Sequence, residues 1–278
     1  MCLIVFDWRP RETDGPLFTL VANRDEFFRR EAEPLHWWKD EPGLLAGRDL
    51  VGGGTWLGLT RDGRFAALTN YRAPDETRAD APTRGTLVSD WLAGEPGATP
   101  LEYLHRVARD GDRYNGFNLL VGDWTRRELG WYCNRSNRGN RAGSPELLAG
   151  GTHGISNAVL DTPWPKLVCK RATLARELAN DPAVPLETLV EMMRDPQPAC
   201  DDELPATGIP LERERALSAA FIETPGYGTR STTALRVSAR GARRFAIDVI
   251  ERSDDDGSHR IERPGHFERR EAFEVVPR

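Results

Sequence analysis

The sequence predicts an α+β fold of layered, largely antiparallel sheets, and three observations lead to this prediction. Strand-like segments recur as pairs joined by short turns, amphipathic helices lie between and after the pairs, and no internal repeat has a fixed period. Strands joined by short turns pair in the antiparallel sense. A sandwich of two sheets flanked by helices is compatible with this pattern, although periodicity alone does not select it. We expect a single domain over residues 1–278.

The predicted strands follow one another as hairpins. The first pair is CLIVFDW and LFTLVAN, with the turn RETDG between them. The second pair is TWLGLT and FAALTN, which flank the Asp-Gly turn RDGR. The remaining predicted strands are NLLVGD, ELGWYCN, STTALRVS, FAIDVIER and FEVV.

Four segments have the apolar spacing of helices. TRGTLVSDWL carries a threonine as its predicted cap, and TPLEYLHRVA places Leu101, Leu104 and Val107 on one face. PWPKLVCKRATLARELA begins with proline, and PLETLVEMMR follows it. The stretch ALSAAFIET fits either a helix or a strand, and DPQPACDDELPATGIPLE before it is typical of a surface loop.

The composition excludes several classes of function. The net charge is −5 and 29% of the residues are charged, so the basic excess of a nucleic-acid-binding protein is lacking. No segment approaches the roughly 20 apolar residues of a membrane span, and LIVF is too short for the core of a signal peptide. We therefore expect a cytoplasmic protein that does not span a membrane. The cysteines form no CxxC pair, so we expect no metal site and no required cofactor.

The most unusual residue is Cys2, in the opening stretch MCLIVFDW. Removal of Met1, which a small second residue permits, would leave a thiol and a free α-amine on the same carbon. An unperturbed α-amine titrates near ~8, so it can take the proton of the thiol directly or through water. Cys2 is therefore the candidate nucleophile, and it needs no histidine for activation.

The segment VANRDEF brings polar residues towards this thiol. In a tight hairpin the end of the second strand lies beside the start of the first, so Asn23, Arg24, Asp25 and Glu26 lie near Cys2. A guanidinium there stabilises a thiolate, and a carboxylate holds an ammonium in place. The alternative interpretation, which stays open, is that NRDE forms only a polar turn after a strand.

Three further polar residues stand at predicted strand ends. Asn70 in LTNYR and Asn157 in GISNA are candidate donors to an oxyanion, although asparagine is also common in turns. Arg230 in YGTRSTT precedes a strand and is a candidate partner for a substrate carboxylate or for Glu26; the alternative is a surface arginine.

Five of these segments occur in the same order and at similar spacing in a known family. They are MCLIVF, ANRDEF, GGTWLGL with AALTNYR, GISNAVLDTPWPK, and YGTRSTTAL. The chain thereby resembles the NRDE family, named for its Asn-Arg-Asp-Glu motif and also called the transport and Golgi organisation family. The resemblance runs from residue 1 to about residue 250.

The NRDE family in turn resembles cysteine N-terminal-nucleophile hydrolases such as choloylglycine hydrolases and penicillin V acylase. That resemblance implies an αββα four-layer sandwich of two mainly antiparallel sheets flanked by helices. It also implies Cys2 as the nucleophile with Arg24 and Asp25 beside it. The remaining implied roles are Asn70 and Asn157 as oxyanion-binding and amine-orienting residues and Arg230 as the late active-site arginine. The hydrolases carry Arg-Asn-x-Asp where this chain has NRDE, so Asp25 and Glu26 both remain candidates for the carboxylate.

Three functional hypotheses follow. The first is a cysteine hydrolase or acyltransferase that acts on non-peptide C–N or thioester bonds of a small acyl substrate. The second is a non-catalytic protein that binds or carries haem or a lipid such as acyl-CoA, since NRDE-family members have been linked to both. The third is an interaction scaffold in which Cys2 is only a buried strand residue.

The second hypothesis needs ligands for haem and an apolar pocket. The candidate residues are His36, His105, His153, Met192 and Met193 as ligands and Trp37 and Trp38 as pocket walls. His153 comes first among them, because it stands in GGTHGISN close to Asn157 in the sequence. The alternative interpretation of HWW is a loop whose side chains pack on the protein and bind no ligand.

Overall fold

The computed structural model describes residues 2–95, 97–135, 143–254 and 267–276. Within these ranges the chain forms fourteen strands and five α-helices. The strands are β1 (Cys2–Trp8), β2 (Asp14–Phe27), β3 (Ala32–Trp37), β4 (Leu44–Asp49), β5 (Leu57–Thr60), β6 (Arg64–Asn70), β7 (Phe117–Asp123), β8 (Glu128–Cys133), β9 (Glu146–Leu147), β10 (Gly151–Ile155), β11 (Glu223–Thr224), β12 (Tyr227–Arg240), β13 (Phe245–Ser253) and β14 (Phe267–Glu274). The helices are α1 (Thr86–Leu92), α2 (Pro100–Arg109), α3 (Pro165–Asn180), α4 (Leu186–Met192) and α5 (Leu211–Ser218).

The strands form two sheets of seven. The first sheet has the order β10-β1-β2-β12-β13-β14, with β11 paired to β12, and the second sheet has the order β3-β4-β5-β6-β7-β8-β9. Every pairing in both sheets is antiparallel. This confirms the prediction of an α+β fold with antiparallel sheets.

The two sheets pack face to face through an apolar layer. Ile4, Phe18 and Leu235 of the first sheet share one buried cluster with Phe65 and Leu120 of the second. The ring centroids of Phe18 and Phe65 are 5.3 Å apart, as expected for aromatic side chains that interdigitate across a sandwich core.

Helices cover the outer face of each sheet. A second cluster joins α1 and α2 to the second sheet, with Trp91 and Leu104 packed among strand residues such as Leu119. A third cluster joins α3 and α4 to the first sheet, with Leu167 and Leu189 among its members. The chain is therefore an αββα sandwich, as the resemblance implied.

This layering explains why β1 is apolar without a gap. Because side chains alternate along a strand, Leu3 and Val5 face the helices, whereas Ile4 and Phe6 face the second sheet. Both faces are buried, so the strand CLIVFDW shows no polar alternation. Cys2 shares the face of Ile4 and so points between the sheets.

The structure corrects several local predictions. NRDE is not a turn, because β2 continues through it to Phe27. His36 and Trp37 lie in β3 and not in a loop. Helix α1 has Gly85 as its N-cap without a side-chain hydrogen bond, so its predicted threonine cap is wrong. The last strand ends at Glu274 and begins well before FEVV.

Two further observations complete the description of the fold. ALSAAFIET divides between the end of α5 and the short strand β11. None of the helices in the described ranges is long and apolar enough to cross a membrane.

Candidate functional site

A cavity of about 550 Å³ lies between the two sheets at the end where β1 begins. Its walls come from the first sheet, from the second sheet, and from a strap that we define as residues 78–85. The residues of the sequence hypothesis that line it are Cys2, Arg24, Asp25, Glu26, Asn70 and Arg230. The fold therefore brings most of the predicted site into one cavity.

The register of the first hairpin places Arg24 directly opposite Cys2. The thiol is nearly covered, with 7% of the residue exposed. Burial raises the pKa of the Cys2 thiol above its ordinary value, and the Asp25 carboxylate raises it further, whereas the Arg24 guanidinium lowers it. The thiol is therefore protonated in this environment and needs a base before it can attack a carbonyl carbon.

Asp25 and Glu26 occupy different environments. Asp25 is 1% exposed, and its Oδ1 accepts a hydrogen bond of 2.7 Å from the Thr229 hydroxyl. Burial raises the pKa of Asp25 above its usual range. Glu26 is half-buried, and its Oε1 accepts a hydrogen bond of 2.8 Å from the backbone N–H of Phe27. Asp25 is thus the more buried of the two carboxylates, and Thr229 fixes its position.

Lys166 is a residue near the site that the sequence analysis did not single out. It is 5% exposed, and its Nζ donates a hydrogen bond of 2.8 Å to the carbonyl of Leu217. Burial lowers its pKa to about 8, and the nearby charges of Asp25 and Cys2 oppose that shift. One feature of the sequence could have identified Lys166. It lies in the segment PWPK, in the first turn of a helix, where acidic residues are favoured.

Asn70 and Asn157 are hydrogen-bonded to each other, but only Asn70 lines the cavity. Asn70 ends β6 and lines the cavity. Asn157 lies outside the lining, and its Nδ2 donates a hydrogen bond of 2.8 Å to the carbonyl of Asn70. The backbone N–H of Arg72 donates to the Asn157 carbonyl at 2.7 Å, and the Ser156 hydroxyl donates to the Cys2 carbonyl at 3.3 Å. Ser156 and Asn157 together therefore connect the start of β1 to the end of β6.

Arg230 occupies a bulge in β12. The pairing with β2 shifts between Thr229 and Ser231, which leaves Arg230 as the extra residue. Its Nε donates to Asp254 Oδ2 at 2.5 Å, and the two side chains are 4% and 2% exposed. Its Nη1 also donates to the backbone carbonyls of Phe27 and Arg30. This guanidinium is already bound within the cavity wall.

Four other candidate residues do not line the cavity: Asn23, His153, Trp37 and Trp38. Asn23 faces the helices, where its Nδ2 donates to the carbonyls of Met193 and Ala220 at 3.1 and 2.8 Å. His153 Nδ1 is 2.8 Å from Asp161 Oδ2, a hydrogen bond that raises the pKa of this histidine.

The two tryptophans are engaged elsewhere. Trp37 packs against Phe273 with ring centroids 5.1 Å apart, and Trp38 donates to the carbonyl of Ala46. No group of three or more potential metal ligands occurs in the described part of the chain.

Comparison with known proteins matches the chain to one family. The family model described as "Transport and Golgi organisation 2" matches residues 1–253. A relative from Bos taurus, the Transport and Golgi organization protein 2 homolog, is 37% identical over 254 residues, which cover 87% of this chain and 90% of that protein. The homolog from Homo sapiens is 35% identical over 275 residues, which cover 93% of this chain and 96% of that protein.

Two solved structures are also similar. One is a Caenorhabditis elegans ortholog of N-acylethanolamine-hydrolyzing acid amidase, with a TM-score of 0.42, 11% identity, and coverage of 84% of this chain and 92% of that chain. The other is a mutant conjugated bile acid hydrolase from Clostridium perfringens, with a TM-score of 0.38, 8% identity, and coverage of 98% and 92%.

Proposed function

The chain belongs to the Transport and Golgi organisation 2 family, and we propose that it is a cytoplasmic hydrolase or acyltransferase with Cys2 as its nucleophile. Its substrates are small acyl amides or thioesters, in which it cleaves a non-peptide C–N or C–S bond. The observation that carries this proposal is the position of Cys2 in the cavity, directly opposite Arg24 and beside the buried Asp25.

Removal of Met1, which occurs once in each chain, exposes the α-amine of Cys2. The first half-reaction follows. That amine takes the thiol proton, and the sulfur attacks the carbonyl carbon of the substrate. Asp25 holds the resulting ammonium, because its carboxylate is fixed by Thr229 at this position. The C–N or C–S bond then breaks, the leaving group takes the proton from the ammonium, and an acyl thioester remains on Cys2.

The charge that develops on the substrate oxygen needs donors in the cavity. Asn70 lines the cavity and supplies its side-chain amide in this proposal. Asn157 fixes the backbone of Asn70 through the 2.8 Å hydrogen bond to its carbonyl. Arg24 adds a positive charge across from the sulfur.

The second half-reaction releases the acyl group. The α-amine of Cys2 takes a proton from water, the hydroxide attacks the thioester carbonyl, and the C–S bond breaks to give a carboxylic acid and the free thiol. An amine or thiol that replaces water in this step makes the same site an acyltransferase.

The alternative of a non-catalytic haem or lipid carrier has less support from this cavity. No histidine or methionine occurs among the described residues that line the cavity, and many of the lining residues are charged. His36 Nδ1 lies 2.8 Å from the carbonyl of Pro34, and Met193 is buried in the cluster under α4. We therefore derive no step through haem.

The experiment that tests the proposal compares hydrolysis of a panel of small N-acyl amides and thioesters by wild type, Cys2→Ala and Cys200→Ala. Cys200 is exposed and lies outside the cavity, so it controls for reaction at an accessible thiol. We expect hydrolysis by wild type and Cys200→Ala and none by Cys2→Ala. Equal rates in all three proteins would remove Cys2 from the mechanism.

A further inference from the structure

The cavity is unusually rich in arginine, and most of these side chains are bound by the protein itself. The six that line it are Arg24, Arg30, Arg48, Arg78, Arg84 and Arg230. The bound ones pair as Arg30 with Asp49, Arg48 with Asp40 and Arg230 with Asp254, and Arg78 donates to the carbonyls of Asp112 and Arg113. Arg24 and Arg84 remain.

These two guanidinium groups keep almost all of their donors available. A guanidinium carries five N–H donors. Within the described part of the chain, Arg24 makes no hydrogen bond or ion pair, and Arg84 donates from Nη1 to the carbonyl of Gly116 at 2.9 Å. Both line the cavity that contains Cys2, and the charge of Arg84 interacts with those of Glu26 and Cys2. The cavity therefore presents, close to the thiol, two guanidinium groups that form no ion pair in the described part of the chain and keep most of their donors for a ligand.

The strap holds Arg84 in a defined place. The backbone N–H of Thr55 donates to the carbonyl of Gly85 at 3.3 Å, and a Cβ added to Gly54 would lie 2.3 Å from the carbonyl carbon of Gly85. At the other end, Arg78 and Asn115 exchange two hydrogen bonds of 2.8 and 2.9 Å. Arg84 is thus presented to the cavity by a backbone that is fixed at both ends.

The floor beside these cations is polar. Cys2, Arg24, Ser231 and Ser253 occupy one row of cross-strand partners on β1, β2, β12 and β13. Ser231 and Ser253 also line the cavity. Neighbouring strands are about 4.8 Å apart, so this row extends roughly 14 Å from the thiol. Such a floor suits a substrate that forms hydrogen bonds and not an alkyl chain.

We infer that Arg84 and Arg24 together bind a carboxylate of the substrate, so that the preferred substrate is a small amide or thioester bearing a carboxylate group. This inference rests on the proposed function and assigns Arg84 as a specificity-determining residue. The planar fork of a guanidinium matches a carboxylate in two parallel hydrogen bonds. The carboxylate is carried either by the acyl part or by the leaving group, and the test separates these two sources.

The kinetic test uses three thioesters that differ in the position of one charge. Butyryl-N-acetylcysteamine is neutral, succinyl-N-acetylcysteamine has an anionic acyl group, and S-butyryl-mercaptopropionate has an anionic leaving group. We expect Cys2 to be acylated roughly 10- to 100-fold faster by one anionic thioester than by the neutral one, as expected for charge-assisted hydrogen bonds. In Arg84→Gln this ratio falls to near one, and Arg84→Lys recovers part of it.

The matched control is Arg109→Gln, which removes the same charge from an exposed helix position outside the cavity. We expect it to keep the wild-type ratio. Equal acylation by all three thioesters, or a ratio that survives in Arg84→Gln as it does in Arg109→Gln, would overturn the inference while leaving the proposed function intact.

A binding measurement tests the carboxylate site independently of any reaction at Cys2. Succinamate is an amide with a carboxylate, and butyramide is its neutral counterpart. In Cys2→Ala, calorimetry should show either succinamate or N-butyrylglycine, whose carboxylate lies on the leaving group, binding at least 10-fold tighter than butyramide, with the difference lost on adding Arg84→Gln. If no thioester acylates Cys2 but this difference is observed, the proposed chemistry fails and the carboxylate site stands. If neither succinamate nor N-butyrylglycine binds tighter than butyramide, the carboxylate site fails.

Discussion

Replacement of Arg230 by methionine should destabilise the protein strongly, because it breaks a buried ion pair. The Arg230 and Asp254 side chains are 4% and 2% exposed, and the guanidinium also serves the carbonyls of Phe27 and Arg30. Removing one partner of a buried pair leaves a buried charge and costs about 3–5 kcal/mol. We expect Arg230→Met to lower the free energy of unfolding in urea by that amount.

Two further variants separate the ion pair from other effects. Arg252→Met breaks the contacts of Arg252 with Glu191 and Glu268, of which Glu191 is 59% exposed, so its expected loss is no more than about 1 kcal/mol. Arg230→Met combined with Asp254→Leu removes both buried charges and should recover much of the lost stability. If Arg230→Met has the stability of wild type but Cys2 is no longer acylated, then Arg230 binds substrate and its ion pair with Asp254 does not stabilise the fold.

Three other predictions concern residues around the cavity. Asn157→Ala removes the donor to the partly buried carbonyl of Asn70, so we expect a loss of about 1 kcal/mol in the free energy of unfolding and slower acylation of Cys2. Unchanged values for both would show that Asn157 does not support the site. Lys166 has a pKa of about 8 against an ordinary value of 10.5, so between these pH values the unfolded state binds more protons and stability rises with pH. Wild type should therefore gain about 3 kcal/mol over Lys166→Met in urea titrations between pH 8 and 10.5, and a constant difference would contradict this. Gly54→Ala should displace the strap, because its Cβ would lie 2.3 Å from the Gly85 carbonyl carbon, whereas Gly43→Ala meets nothing within 4 Å; melting temperatures of the two variants should differ, with Gly54→Ala the lower.

The contact between Cys2 and Arg24 could be predicted from the sequence because it follows from local pairing. A short turn joins β1 to β2, so the start of one strand must lie beside the end of the other, and the structure gives Cys2 and Arg24 as partners. The same reasoning could not show that Asn23 faces the helices. That requires knowing which face of β2 is covered by α3 and α4.

The strap and the bulge could not be predicted, because they depend on contacts distant in sequence. The strap that carries Arg84 packs through Gly85 on Gly54, and a single sequence carries no periodic signal for such loop packing. Arg230 was expected as an arginine beside the substrate. Its position in a bulge, paired with Asp254, depends on the register between β12 and β2.

The order of the helix and sheet layers also could not be predicted from the spacing of apolar residues. Strands such as β1 are buried on both faces, so their residues do not show which side meets a helix and which meets the second sheet. The family resemblance supplied that order, and the three buried clusters confirm it.

The central claim is that Cys2 is a nucleophile freed by removal of Met1, and the most direct measurement is the intact mass of the purified protein before and after exposure to a thiol-reactive acyl probe. The account predicts a chain that lacks Met1 and gains one acyl group more than Cys2→Ala gains, since the exposed Cys169 and Cys200 react equally in both proteins. A chain that keeps Met1 and gains no acyl group at Cys2 would contradict it.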